Sequence, residues 1–381
     1  MRFILIGNYP ADKQESMRKY AVSLRDSLNK ENLEAAIWYP AVFFGYGSKS
    51  TNTGFGKWLG YIDKWIVFPV IIWFRLLFKQ DQKDIIYHVC DHSNSPYLKV
   101  LPDGRSGITC HDVLAIRGAL GYKDAFCPAS STGKILQNWI LNNLKKANKL
   151  IAVSQLTMNQ LTELCEGDKP LKSGWKVIHN SFNAEFYPLG ATESWNTLAT
   201  AGLPKNLPFI LHVGSALPRK NRKMLLNMVQ ELGNKWKGSI CFAGQPLDEN
   251  LIKHARKLGL ENRTISLVKP DHQTLLALYS SCQAFVFPSF SEGFGWPLIE
   301  AQACGAPVLA SSVEPMPEVS NDTALHADPN SARDFANAFM KLSEPGMRKK
   351  LIEEGYKNSR RFDSGTLTKE FIKMYAQEVL I

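Results

Sequence analysis

Residues 284–300 read AFVFPSFSEGFGWPLIE, a strand, a turn and a helix start in seventeen positions. Ala284 to Phe287 form a continuous apolar run, the pattern of a strand covered on both faces in a parallel sheet. Ser289 to Gly295 make a small-residue turn, and Pro297 suits the first position of a helix, where a missing amide proton costs nothing. Gly305 and Pro307 end that helix. A strand passing through glycines into a helix is the repeating step of a doubly wound α/β sheet.

The same alternation continues on both sides. Upstream, apolar runs at 2–7, 34–39, 84–89, 107–110, 149–153 and 177–179 alternate with longer helical patterns. A second series opens with PFILHVG at 208–214 and continues through 239–243, 264–267, 284–287 and 307–310. Between them, 181–207 holds Pro188, Gly190, Gly202 and Pro204 and shows no helical periodicity. The predicted organisation is therefore a first domain over 1–185, a linker over 186–207 and a second domain over 208–363. A helical pattern over 364–381 packs on one of the two. Such sheets bind ligands at the C-terminal ends of their strands, here in a cleft between the domains.

Composition agrees. The 381 residues, 45% hydrophobic and 21% charged, suffice for two to three domains at ~150 residues each and exclude a collagen, coiled coil or disordered chain. Seven cysteines, spread singly with no CxxC pair, argue against a disulfide framework and for a reducing compartment. Six residues precede Gly7, too few for the apolar core of a secretion signal, so a cytoplasmic protein is expected. The net charge is +10, of which +7 lies in residues 1–185, which suits anionic partners such as phosphates or a membrane surface. The aromatics are not interleaved with Lys and Arg as a base-stacking platform, so nucleic acid is not an expected partner.

Residues 57–79, KWLGYIDKWIVFPVIIWFRLLFK, stand apart. The uncharged run Trp65–Phe74 is half the ~20 residues a span needs and contains Pro69. Three tryptophans among Lys57, Lys64, Arg75 and Lys79 suit a helix lying at a bilayer interface, the alternative being a buried helix with snorkelling ends.

Three constellations carry chemistry. In the first, Gly293 and Gly295 let backbone approach a ligand, the amides of Leu298 and Ile299 leave a helix N-terminus suited to phosphate, and Glu292 and Glu300 flank the site as acceptors for hydroxyls. The second, Gly214-Ser215-Ala216-Leu217-Pro218-Arg219-Lys220-Asn221-Arg222-Lys223, sets four cations at a helix start, against the macrodipole unless an anion binds there. Arg219 and Lys220 are the candidates for a diphosphate, one as a fork and one as a point charge. The third is Thr109-Cys110-His111-Asp112 at a strand end, where His111 is placed to bond a substrate hydroxyl. His88, Cys90, Asp91 and His92 are metal-capable types, but alternation throws neighbours to opposite faces, and no metal site is expected. There is no GxGxxG, HExxH or GxSxG.

These residues resemble the family 4 retaining glycosyltransferases of the two-domain GT-B fold. Glu292 and Glu300 match that family's E-x7-E motif, Gly214 to Asn221 its diphosphate loop, and Val177-Ile178-His179-Asn180-Ser181-Phe182 its interdomain hinge, the likeness being strongest over 177–320. The resemblance implies that Arg219 and Lys220 hold the donor diphosphate, Glu300 the ribose and Glu292 the sugar hydroxyls. It also implies that Gly214, Ser215 and the backbone of Gly293, Phe294, Gly295, Pro297 and Leu298 line the donor, and that Val268 and Lys269 meet the base. His111 matches the catalytic histidine, and 364–381 returns to the first domain. The first loop, Gly7 to Met17, departs from the family in lacking a Gly-Gly pair. Gln14, Ser16, Asp91 and His92 are the acceptor-side candidates.

In function, the resemblance implies metal-independent hexosyl transfer, with no cofactor beyond the donor, UDP-glucose first. The expected acceptor is a sugar or lipid-linked sugar; the basic first domain and the tryptophan segment suggest that it lies at the inner face of a membrane touched through 57–79, as in exopolysaccharide assembly. A sugar-nucleotide epimerase of the same fold and a non-catalytic nucleotide-sugar-binding protein are the alternatives.

Overall fold

The structure is a computed structural model that describes residues 1–48, 50–51, 53–78, 84–165 and 173–376. Lys79 of the tryptophan segment and 377–381 of the C-terminal segment lie outside the described residues. The chain divides into two compact units, one of residues 1–184 with the C-terminal stretch from 364, the other of residues 185–363.

The first unit holds six parallel strands: β1 (Arg2–Ile6), β2 (Glu34–Trp38), β3 (Ile85–Val89), β4 (Ser106–Cys110), β5 (Lys149–Ala152) and β6 (Trp175–Val177). Their order is β2-β1-β3-β4-β5-β6. The central β3, β4 and β5 are buried at every position, as strands covered by helices on both faces must be. Helix α1 (Glu15–Lys30) follows β1, burying Ala21, Leu24 and Leu28 at helical spacing. The helix Ser364–Ala376 belongs to this unit. Its Phe371 and Tyr375 lie against Phe3 at centroid distances of 5.6 and 5.8 Å. Tyr375 Oη and His88 Nδ1 are 2.6 Å apart, and His88 Nε2 meets Thr109 Oγ1 at 2.8 Å. His88 is thus a buried structural histidine.

The second unit repeats the plan with β7 (Phe209–Gly214), β8 (Ser239–Gly244), β9 (Thr264–Val268), β10 (Ala284–Phe287), β11 (Val308–Ser311) and β12 (Leu325–Ala327). Their order is β12-β11-β10-β7-β8-β9, all parallel.

Two stretches differ from their sequence reading. The region 186–207 is not irregular throughout: Ala191–Thr200 is a helix that buries Ser194 and Leu198 and packs against the helix His272–Ser281. Only those two positions are fully buried, too few to leave a visible periodicity. The tryptophan segment is neither a plain surface helix nor a buried one. It runs as α2 (Gly54–Ile62), a π-turn over Asp63–Val67 and α3 (Phe68–Leu77). In the π-turn the Phe68 amide bonds the Asp63 carbonyl, just ahead of Pro69, which has no proton to give. Asp63, Phe68 and Ile72 are buried on one side, whereas Trp58 and Trp73 stand 54% and 52% exposed on the other. Trp65 faces inward against Tyr97 and Trp139. Among the described residues no helix is long and apolar enough to cross a membrane.

Candidate functional site

In the second sheet, β7 and β10 are neighbours, yet β8 and β9 extend from one side and β11 and β12 from the other. The loops leaving β7 and β10 therefore part in opposite directions and open a crevice at the strand ends. The loop after β7 brings Gly214, Ser215, Arg219 and Lys220, and the loop after β10 brings Ser289 and Glu292 to Gly295. The loops are tied together: the Phe290 amide donates to the Arg219 carbonyl at 2.8 Å, and Arg219 Nη1 to the Ser291 carbonyl at 2.9 Å.

Glu292 is the centre of this site. One carboxylate oxygen is 2.7 Å from Arg219 Nη1, the other 2.7 Å from Lys220 Nζ. Glu292 and Lys220 are buried. Burial alone would raise the Glu292 carboxyl, but the two cations hold it below its ordinary range. Lys220 is pulled below the usual lysine value by burial and by Arg219, against the charges of Glu292 and Glu300. Arg219, Lys220 and Glu292 together carry one net positive charge, on the loops that follow β7 and β10. The four cations of this loop part company: Arg222 turns away to Asp248 at 2.8 Å, and Lys223 is exposed.

Gly214 lies beside the lysine, with ordinary van der Waals space for a side chain. A Cβ there would stand 3.7 Å from Lys220 Cδ and Cε, and 3.4 Å from His212 Nε2. No motif in the sequence marks His212 as part of the site, although its place two residues before Gly214 puts it on the same face of β7. Its Nδ1 donates to the Val286 carbonyl at 3.2 Å, which leaves Nε2 as a buried acceptor without a hydrogen-bond partner. Burial lowers its pKa to about 3, so the ring is neutral.

Glu300 is buried and accepts from Tyr279 Oη at 3.0 Å. The helix Trp296–Ala303 is capped by Gly295 at φ +103°, in the left-handed region that glycine alone enters freely. Pro297 is its second residue. The Leu298 amide, expected to be free, instead donates to the Gly295 carbonyl at 3.0 Å, tightening the first turn. Phe294 is buried, its ring edge-on against Phe362. Val268 is exposed at the end of β9, and the Lys269 amide bonds the Gly244 carbonyl at 2.8 Å, which carries this edge to the strand beside β7.

The first unit has its own switch point, between β1 and β3. Asn8, after β1, donates to Asp91 Oδ2 at 2.5 Å and also bonds Gln14, while Asn94 donates to Asn8 Oδ1 at 3.1 Å. His92 Nδ1 lies 3.1 Å from Asp91 Oδ1. Burial works against charging His92, but Asp91 raises its pKa, and burial is likewise outweighed at Asp91 by His92, His111 and Asn8. His111, at the end of β4, donates from Nε2 to the Cys90 carbonyl at 2.9 Å and sits edge-on to Tyr20. Burial lowers its pKa in spite of Asp91, so its resting form is neutral. Asp91, His92, His111 and Gln14 thus gather in one network. Ser16 is exposed on α1 and takes no part in the neighbouring cavity. That cavity, of about 210 Å³, is walled by Asn8, Tyr9, Gln14, Tyr61, Lys64, Trp65, Asn94 and Gln137 among others. Apart from Gln14 none of these was a site candidate, because the wall joins four segments distant in sequence.

Known proteins resemble the chain in sequence and in fold. The chain is 31% identical over 173 residues to the O-antigen chain mannosyltransferase B of Escherichia coli, covering 44% of this chain and 45% of that protein. It is 28% identical over 205 residues to the D-inositol 3-phosphate glycosyltransferase of Mycolicibacterium smegmatis, covering 52% and 45%. The matches thus span less than half the length of these curated relatives. Among solved structures, sucrose-phosphate synthase from Thermosynechococcus elongatus superposes with a TM-score of 0.74 at 18% identity, over 99% of both chains. Anabaena HepE in complex with UDP and glucose gives 0.70 at 15%, over 98% of both. The fold is thus the α/β GT-B fold, two Rossmann-like units each built on a six-stranded parallel sheet. Residues 194–358, which include the Arg219–Lys220–Glu292 cluster, match the family Glycosyl transferases group 1.

Proposed function

We propose that the protein is a glycosyltransferase that moves a hexose from a nucleoside-diphosphate sugar, UDP-glucose first, to a sugar or lipid-linked sugar acceptor, with retention of configuration. The observation that carries this reading is the buried cluster in which Arg219 and Lys220 converge on Glu292 at the strand ends. In the reaction the diphosphate takes the two cations, and Glu292 turns to the sugar hydroxyls. Negative charge grows on the departing phosphate in the transition state, so fixed cations there stabilise the transition state more than the bound donor. With that charge supplied by side chains, the chemistry calls for no metal ion or further cofactor. Glu300, oriented by Tyr279, is the ribose acceptor, and Val268 and Lys269 flank the base. In the first unit His111, held neutral, is the candidate catalytic group, and Gln14, Asp91 and His92 are on the acceptor side. A cytoplasmic site of action, with peripheral contact at a membrane through 57–79, belongs to the same reading, as does a role in exopolysaccharide assembly.

The match of residues 194–358 and the UDP complexes of HepE support the donor class. The relative named a mannosyltransferase favours a second donor, a mannosyl nucleotide. Incubating the protein with UDP-glucose, GDP-mannose and other nucleotide sugars separates the readings. Release of UDP from UDP-glucose is expected, selective release of GDP from GDP-mannose moves the donor, and no nucleoside diphosphate from any of them contradicts the proposal.

A further inference from the structure

The segment that contains α2 and α3 has two faces of opposite character. Of the eighteen large hydrophobic side chains exposed among the described residues, eleven fall between Phe43 and Phe78. Along the helices they follow one stripe, through Phe55, Trp58, Ile66, Val70, Trp73 and Leu77. A contiguous exposed patch of this kind marks a surface that another phase or molecule covers. Its charge is one-sided. Over 43–79 the sequence has five Lys and Arg against one acid; that acid, Asp63, and Lys64 are both buried inside, whereas Arg75 stands exposed beside Trp73. Tryptophan and phenylalanine beside lysine and arginine are the chemistry of an anionic lipid interface.

The inner face is polar. Tyr61, Lys64 and Trp65 wall the 210 Å³ cavity together with Tyr9, Asn94 and Gln137. Asp12 also lines the cavity and pairs with Lys64, so ring faces, side-chain amides and a neutralised ion pair suit an uncharged hydroxylated ring. Both faces hang on Asp63. It accepts the amides of Phe43, Phe44 and Gly45 at 3.0 Å each, which fixes the exposed aromatic loop, and Tyr9 Oη at 2.6 Å, which fixes the loop after β1. Next to it, Lys64 Nζ bonds Asp12 at 2.8 Å.

Resting on the glycosyltransferase reading, we propose that residues 43–78 dock on an anionic bilayer surface, and that the cavity behind them receives the saccharide head of a lipid-anchored acceptor. The platform and the head-group pocket are two sides of one helical segment.

Vesicle co-sedimentation without any nucleotide sugar tests both halves. Binding to phosphatidylcholine vesicles should require added phosphatidylglycerol, and should fall at least ~10-fold when Trp58 and Trp73 both become serine. An unchanged melting temperature shows that this variant folds, and brominated lipids should quench the wild-type tryptophan emission but not that of the variant. Absence of binding, equal binding by the variant, or a dimer in lipid-free buffer that depends on Trp58 and Trp73 overturns the platform. Doping the vesicles with a hexosyl polyprenyl diphosphate should tighten binding ~10-fold. Gln137→Ala and Asn94→Ala should erase that increment and keep the affinity for undoped vesicles. No tightening, or an increment that survives both substitutions, overturns the pocket. Donor hydrolysis is scored separately, so either reading can fail alone.

Discussion

Glu292 is bonded to two cations that, in the proposed reaction, belong to a diphosphate. The resting site therefore carries an internal stand-in for its ligand. Glu292→Gln removes the competing charge and leaves two buried cations short of a counter-ion. Calorimetric titration with UDP should show binding at least ~10-fold tighter than wild type, about 1.4 kcal/mol. Turnover of the donor sugar should fall at least ~100-fold, because the contact to the reacting sugar is lost. The structure brings Arg219, Lys220 and Glu292 into contact, and these with Glu300 were singled out from sequence, since cations at a helix start and acids around a glycine turn are costly without a ligand. His212 and Tyr279 were not. Their type is common in cores, and only the structure shows one beneath Gly214 and the other bonded to Glu300.

At the scale of the element, the segment 54–77 shows what patterning can and cannot say. The sequence marked 57–79 by its tryptophans and cations and set Trp65 beside Trp73 on the membrane side, an expectation the structure corrects for Trp65. The π-turn settles this, because it changes which residues share a side: Trp65 turns inward, while Trp58 and Trp73 stay out. The role of Asp63 was hidden for the same reason, as its partners come from the loop before α2 and the loop after β1. Replacing it should be costly. Asp63→Ala leaves three amides and the Tyr9 hydroxyl unsatisfied, each worth about 1–3 kcal/mol where water cannot reach it. Loss of at least ~2 kcal/mol in urea unfolding is expected, with faster hydrogen exchange at Phe43, Phe44 and Gly45. Stability and exchange equal to wild type would show that Asp63 does not anchor the loop. Strand positions were legible to within about two residues, because buried parallel strands are continuous apolar runs. β12, three residues long with a histidine in its middle, offered no such run.

Over the whole molecule, each unit places a neutral histidine in the heart of its sheet: His88 on β3 and His212 on β7, both lowered to about 3 by burial first of all. An unfolded chain protonates these rings near 6.5. Between about pH 6.5 and 3 the unfolded state thus binds more protons, and stability falls as the solution is acidified, by about 1.4 kcal/mol per pH unit for each ring. His88→Gln should flatten the pH dependence of urea unfolding by that amount between pH 6 and 5, whatever its effect at pH 7. An unaltered slope would mean that His88 does not stay neutral in the fold. The same topology that buries these rings puts the loops of the candidate site at the two switch points, β1/β3 and β7/β10. Strand order is set by tertiary pairing, so the sequence could name the loop residues of each unit but not which loops are neighbours. The most direct measurement is calorimetric titration of UDP into wild type, Lys220→Ala and Glu292→Gln. Binding by wild type, ~100-fold weaker binding by Lys220→Ala and tighter binding by Glu292→Gln are expected. The same affinity in all three proteins, or none in any, would contradict a diphosphate site built on Arg219 and Lys220.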